Sequence, residues 1–130
     1  MKTILLAEDN AANRELFREI LEAGGFHVLE ASDGEQAIAI AAANSPDLAL
    51  LDIQMPARDG IEVLQAIRSD PRLMHTPVIA LTAFAMRGDR ERMLQVGFDG
   101  YLSKPASRAT LLAEVNRALN LQGAGATQAR

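Results

Sequence analysis

The chain has 130 residues, 17 acidic and 13 basic side chains for a net charge of −4, no cysteine, no tryptophan and one tyrosine. That length reads as a single domain able to bury a sizeable core, and the lack of cysteine excludes disulfides, thiolate metal sites and cysteine nucleophiles. An acidic balance with scattered basic residues and few aromatics leaves no nucleic-acid footprint; with no signal-type run after Met1 and no stretch of transmembrane length, a cytoplasmic protein without membrane contact is expected.

Residues 3 to 7, Thr-Ile-Leu-Leu-Ala, are a short apolar run that stops at Glu8 and Asp9. Such a run, lacking polar alternation, reads as a strand buried on both faces of a parallel sheet. Asn10 can cap the next helix, whose Leu16, Phe17, Ile20 and Leu21 recur at three- and four-residue spacings before Gly24-Gly25 ends it. A strand from Phe26 to Glu30 leads into Ser32-Asp33-Gly34-Glu35, a Ser-x-x-Glu capping box for an alanine-rich helix reaching about Asn44. Ser45-Pro46 closes that unit. The next apolar run, Leu48 to Leu51, ends at Asp52, and Met55-Pro56 and Asp59-Gly60 then lift the chain out of the sheet. Asp59 and Glu62 make a reciprocal cap for a helix carrying Ile61, Val63, Leu64 and Ile67, which Asp70-Pro71 breaks.

Val78 to Leu81 forms a fourth strand that delivers Thr82, followed by the loop Ala83-Phe84-Ala85-Met86. The helix from about Arg87 to Val96 carries Arg87, Asp89, Arg90, Glu91, Arg92 and Gln95, so most of its surface is expected to face water. Gly97 stops it. A fifth strand, Gly100 to Ser103, presents Lys104-Pro105, and the last helix, about Ser107 to Leu121, lines up Leu111, Leu112, Val115 and Leu119. Residues 122 to 130 show no apolar pattern and are expected to be a disordered tail beyond a domain of residues 1 to 121. This alternation predicts an α/β fold, a parallel sheet with helices on both faces joined by right-handed crossovers.

Four strands thereby place Glu8, Asp9, Asp52, Thr82 and Lys104 at one sheet edge, the carboxyl edge where open α/β sheets bind ligands. Three neighbouring carboxylates repel one another, so holding them ionised calls for a cation, and oxygen ligands open to water suit Mg²⁺. A lysine and a threonine hydroxyl facing such a carboxylate are the donors a phosphoryl group needs, and the carboxylate itself can be the nucleophile that forms an aspartyl phosphate.

The set Glu8-Asp9, Asp52 with Met55-Pro56 and Asp59-Gly60, Thr82-Ala83 and Lys104-Pro105, in this order and spacing, resembles the receiver domain of bacterial two-component response regulators, over residues 3 to about 121. The resemblance implies a doubly wound, CheY-like (βα)5 fold with strand order 2-1-3-4-5. It implies Asp52 as phosphoacceptor, Asp9 as a direct Mg²⁺ ligand, Glu8 acting through metal-bound water, and the main-chain carbonyl of Gln54 as a further ligand. Thr82 would donate to the phosphoryl group, Lys104 would pair with it, and Tyr101 would be the aromatic switch. Lys104-Pro105 would be a cis peptide. The phosphodonor would be a sensor histidine kinase or a histidine phosphotransfer protein. The output would be a protein bound on the face of helix 87–96, strand 100–103 and helix 107–121, so the chain would act as a switch and not as a metabolic enzyme. Glu8-Asp9-Asn10 and Thr82-Ala-Phe-Ala-Met-x-Gly-Asp further resemble DivK-type regulators and the receivers of hybrid kinases.

Rival readings fit less well. A haloacid-dehalogenase-like phosphatase needs a second aspartate two residues after its nucleophile, and Gln54 stands there. A flavin binder of the flavodoxin type would want hydroxyls and free amides in its first loop, where this chain has Glu8-Asp9-Asn10. A receiver-like interaction module that works without phosphorylation is the remaining alternative. Gln54 and Phe84 would flank attacking water, and the bulk of Phe84 predicts slow hydrolysis of the phosphorylated state. His27 and His75 read as surface residues, Met55, Met86 and Met93 as packing or loop residues, Arg87-Gly88-Asp89 as a helix start, and Asp59-Gly60 as a turn without chemistry.

Overall fold

The computed structural model describes residues 1–83 and 86–128, and of 121–128 the backbone alone. Strands and helices alternate: β1 (Thr3–Ala7), α1 (Ala11–Ala23), β2 (His27–Ala31), α2 (Gly34–Asn44), β3 (Leu48–Asp52), α3 (Gly60–Ser69), β4 (Val78–Thr82), α4 (Asp89–Val96), β5 (Gly100–Ser103) and α5 (Arg108–Gln128). The strands form one parallel sheet in the order β2-β1-β3-β4-β5, so the central strands are covered on both faces and β3 and β4 are buried throughout. This is why their sequences are continuous apolar runs.

The two-residue period of a strand sends alternate side chains to opposite faces. Leu5, Ala7, Ala49, Leu51, Val78 and Ala80 pack with residues of α2, α3 and α4. Ile4, Leu6, Leu48, Leu50, Ile79 and Leu81 pack with α1 and α5. Each such leucine or isoleucine contributes roughly 1.5–3 kcal/mol through its burial. The same alternation aims the strand ends: Glu8 follows Leu6 and Asp52 follows Leu50, so both carboxylates turn to the α1/α5 face. Register sets them level, because Ala7 pairs with Leu51.

Caps fix where several helices begin. Asn10 accepts the Asn13 N–H at 2.9 Å at the start of α1, and Asp59 and Glu62 form the full reciprocal cap of α3. The start of α2 differs from the sequence reading: Asp33, not Ser32, is the cap and accepts the Gln36 N–H at 2.8 Å. Ser32 instead donates its N–H and hydroxyl to Gln36 Oε1 at 2.8 and 2.9 Å, while Glu35 pairs with Arg58 at 2.8 Å. The first turn of α2 is also pressed against the loop that follows β3: a Cβ on Gly34 would lie 1.9 Å from the Arg58 carbonyl oxygen, a contact only glycine permits.

Three further expectations shift. α4 begins at Asp89, two residues late, because Gly88 takes a left-handed φ of 80° that no helical residue adopts. Leu16, expected on the buried face of α1, is 51% exposed, and Asp89, expected in water, is only 5% exposed. The last helix continues through 122–128, expected as a tail, to Gln128. Residues 129 and 130, the rest of the expected tail, lie outside the described residues. Lys104–Pro105 is cis, and among the described residues no helix is long and apolar enough to cross a membrane.

Candidate functional site

At the carboxyl edge of β1 and β3, ligand oxygens of Glu8, Asp9 and Asp52 lie within 4.8 Å of one another. Glu8 is 0% and Asp52 3% exposed, whereas Asp9 is open to solvent. Lys104, carried in by the turn after β5, donates from Nζ to Glu8 Oε1 and to Asp52 Oδ2, both at 2.9 Å. Main-chain donors hold the remaining carboxylate oxygens: the Asn10 N–H meets Glu8 Oε2 at 3.1 Å and the Gln54 N–H meets Asp52 Oδ1 at 3.0 Å. Arg14 Nη1 donates to the Glu8 carbonyl at 2.8 Å, tying α1 to the strand end.

Burial is the largest influence on Glu8 and lifts its carboxyl from 4.5 to about 7; the Lys104 hydrogen bond opposes that rise and the neighbouring Asp52 adds to it. Burial pulls the Lys104 ammonium down, but its bonds to Glu8 and Asp52 outweigh that and hold it above its ordinary value. With Glu8 ionised, three carboxylates against one ammonium leave negative charge uncompensated, and this all-oxygen donor set, open to solvent at Asp9, fits a hard divalent cation.

The backbone around Asp52 leaves little slack. A Cβ on Gly60 would come within 2.6 Å of the Asp52 carbonyl oxygen and 3.0 Å of Ile53 Cα, and the Gly60 N–H donates to the Ile53 carbonyl at 3.0 Å. The Asp59-Gly60 turn therefore carries the start of α3 directly onto the peptide of Asp52, a role its turn propensity did not reveal.

Thr82 is buried at the end of β4, and the Lys104 N–H donates to its carbonyl at 2.7 Å. Gln54 is exposed in the loop after β3. Tyr101 is not in the carboxylate cluster. Its ring packs against the α2–α4 core and its hydroxyl donates to Asp89 Oδ2 at 2.7 Å. Asp89 escaped the sequence reading because no local signal distinguishes it from the exposed charges around it. Phe84 lies outside the described residues. Beside Lys104, a hollow of about 270 Å³ is lined by Asn13, Leu16, Phe17, Ala83, Pro105 and Ala106, which accounts for the exposure of Leu16.

A doubly wound sheet with an acidic cluster and a lysine at its carboxyl edge defines a class, and residues 4–116 match the response regulator receiver domain. The chain belongs to that family. It is 45% identical over 106 residues to the polar-differentiation response regulator DivK of Brucella anthropi, covering 82% of this chain and 86% of that protein; DivK of Brucella ovis matches equally well. Among solved structures, the receiver domain of a sensor histidine kinase from Pseudomonas aeruginosa PAO1, with a magnesium ion in its active-site cleft, is 38% identical with a TM-score of 0.84, covering 92% of this chain and 98% of that one. The chemotaxis protein CheY4 of Vibrio cholerae is 30% identical with a TM-score of 0.84, covering 91% and 98%. The chain is thus a receiver domain homologous to DivK and CheY-like response regulators.

Proposed function

We propose that Asp52 accepts a phosphoryl group from a phosphohistidine, with Mg²⁺ bound among Glu8, Asp9, Asp52 and the Gln54 carbonyl, and that the phosphorylated domain presents an altered face to a protein partner in the cytoplasm. The observation that carries this reading is the Asp52 carboxylate at the end of the central strand, bonded to Lys104 at 2.9 Å and set within 4.8 Å of two further acids. Mg²⁺ would offset the charge of the acids and of the incoming phosphoryl oxygens.

The chain's own residues do the rest. One Asp52 carboxylate oxygen attacks phosphorus; the new O–P bond forms as the P–N bond to the imidazole breaks, and the imidazole leaves with that electron pair and takes a proton. Lys104, already within bonding distance of Asp52, pairs with the phosphoryl oxygens, and the Thr82 hydroxyl donates to them; such positioned donors are the main source of catalysis in phosphoryl transfer. The hollow beside Lys104 offers the donor, a histidine kinase or phosphotransfer protein, an apolar foothold at Leu16, Pro105 and Ala106. The output face is the surface of α4, β5 and α5, with Tyr101 as its switch. From its bulk and its place in the sequence two residues beyond Thr82, Phe84 is assigned a slowing of acyl-phosphate hydrolysis, so Phe84→Ala shortens the lifetime of the adduct; an unchanged decay removes that assignment.

The test is incubation with Mg²⁺ and acetyl phosphate, read by intact mass. Wild type should gain one phosphoryl group, and neither Asp52→Asn nor chelator-treated protein should. Folded, metal-supplied wild type that stays unmodified would overturn the reading in favour of a phosphorylation-independent interaction module.

A further inference from the structure

Asp89 is a buried carboxylate that the phosphoryl chemistry does not use. Its backbone opens α4, where helix N-terminal N–H groups favour negative charge. Its side chain receives the Tyr101 hydroxyl on Oδ2 at 2.7 Å and the Arg92 guanidinium on Oδ1. A buried carboxylate stripped of a donor is strongly disfavoured, so the Tyr101 bond is a hold on the ring and not an incidental contact.

Tyr101 is also pinned at its backbone. Its N–H, on the outer edge of β5, donates to Glu114 Oε2 at 3.0 Å, and Glu114 is itself held by Arg117 at 2.8 Å. With the main chain fixed from α5, the remaining freedom is rotation of the ring, and Asp89 holds that from α4. Tyr101 pairs with Ala80, so Thr82, two residues on, lies on the same sheet face one step nearer Asp52. A hollow of about 320 Å³ opens between Thr82 and Asp89, walled by Ile53, Met86 and Met93.

We infer that Asp89 is a positioning residue that latches Tyr101 in the resting state, so that phosphorylation of Asp52 must break the Tyr101–Asp89 bond before the ring can turn toward Thr82. The inference rests on the phosphoacceptor reading of Asp52. Burial first, then the bond to Asp89, holds the Tyr101 phenol up at about 12, as a hydroxyl donating to a buried carboxylate requires.

With one tyrosine and no tryptophan in the chain, tyrosine emission and phenol absorbance report Tyr101 alone. A phenol bonded to a carboxylate emits weakly, because its excited state gives up the proton. The experiment follows emission and intact mass together in wild type, Asp89→Asn and Asp89→Ala, with acetyl phosphate and Mg²⁺. Emission in wild type should rise in step with the adduct. Asp89→Ala should begin at the released level, form the adduct, and lose the response, while its phenol titrates at a lower pH than in wild type. Asp89→Asn, isosteric and still an acceptor, should respond in part, and it keeps the test decisive if the alanine variant does not fold. An adduct without any emission change in wild type, or a full response in a folded Asp89 variant, overturns the latch while leaving the phosphoacceptor intact. No adduct in wild type overturns the reading of Asp52 and the latch with it.

Discussion

Glu8→Gln tests whether the acidic cluster is held at the expense of stability. Glu8 is 0% exposed and its carboxyl is raised from 4.5 to about 7, first by burial. The native state therefore binds the proton more tightly than the unfolded chain. Stability from this group is fully present below the unfolded value of 4.5 and is lost as the pH rises through about 7. The rise corresponds to roughly 3 kcal/mol at most, at about 1.4 kcal/mol for each tenfold change in proton affinity. Glutamine keeps an acceptor for Lys104 and never ionises. In chelator, the variant should gain on wild type by up to ~3 kcal/mol between about pH 5 and about pH 8.5. Excess Mg²⁺ should restore wild type at the higher pH and move the variant less, since Asp9 and Asp52 remain to hold the ion and a ligand stabilises only the state that binds it. Urea unfolding followed by circular dichroism, at both pH values with and without metal, measures each quantity. A difference between the two proteins that does not change with pH in chelator would refute the reasoning.

Three further substitutions probe the backbone around Asp52. Gly60→Ala drives a Cβ to 2.6 Å from the Asp52 carbonyl oxygen, and should cost about 1–3 kcal/mol in urea unfolding and slow adduct formation at Asp52. Ala57 sits at a left-handed φ of 68°; Ala57→Gly should raise the unfolding free energy by up to about 1 kcal/mol, seen as a higher urea midpoint, and an unchanged midpoint would remove the strain argument. Asp59→Ala removes the reciprocal cap of α3 and should cost about 1 kcal/mol while acceptance of the phosphoryl group continues, as intact mass would show.

The strands and the acids at their ends were legible because both signals are local. Leu48 to Leu51 is an uninterrupted apolar run that ends at a carboxylate and a breaker, and the folded strand is Leu48–Asp52. Asn10 and Asp59 are caps whose donors lie three residues away in sequence, so their geometry follows from the helix itself. The order of these motifs sufficed to recognise the receiver family, and the sheet order followed from that recognition. The start of α2 differs because Ser32 and Asp33 are both competent caps, followed three residues later by Glu35 and Gln36 respectively, and the local pattern does not separate them.

By itself, the sequence determined which segments are strands, which residues stand at their carboxyl ends, and therefore the acidic and cationic make-up of the site, since two-residue and three-to-four-residue periods and breakers are properties of neighbouring residues. Only the tertiary structure decided that Leu16 faces a hollow, that Lys104 reaches Glu8 and Asp52 at once, and that Asp89 is buried beneath the Tyr101 hydroxyl. Each of these depends on how a helix is rotated and what packs across from it. A charged residue at a helix start is the same letter whether water or a phenol meets it, and the partner comes from another strand.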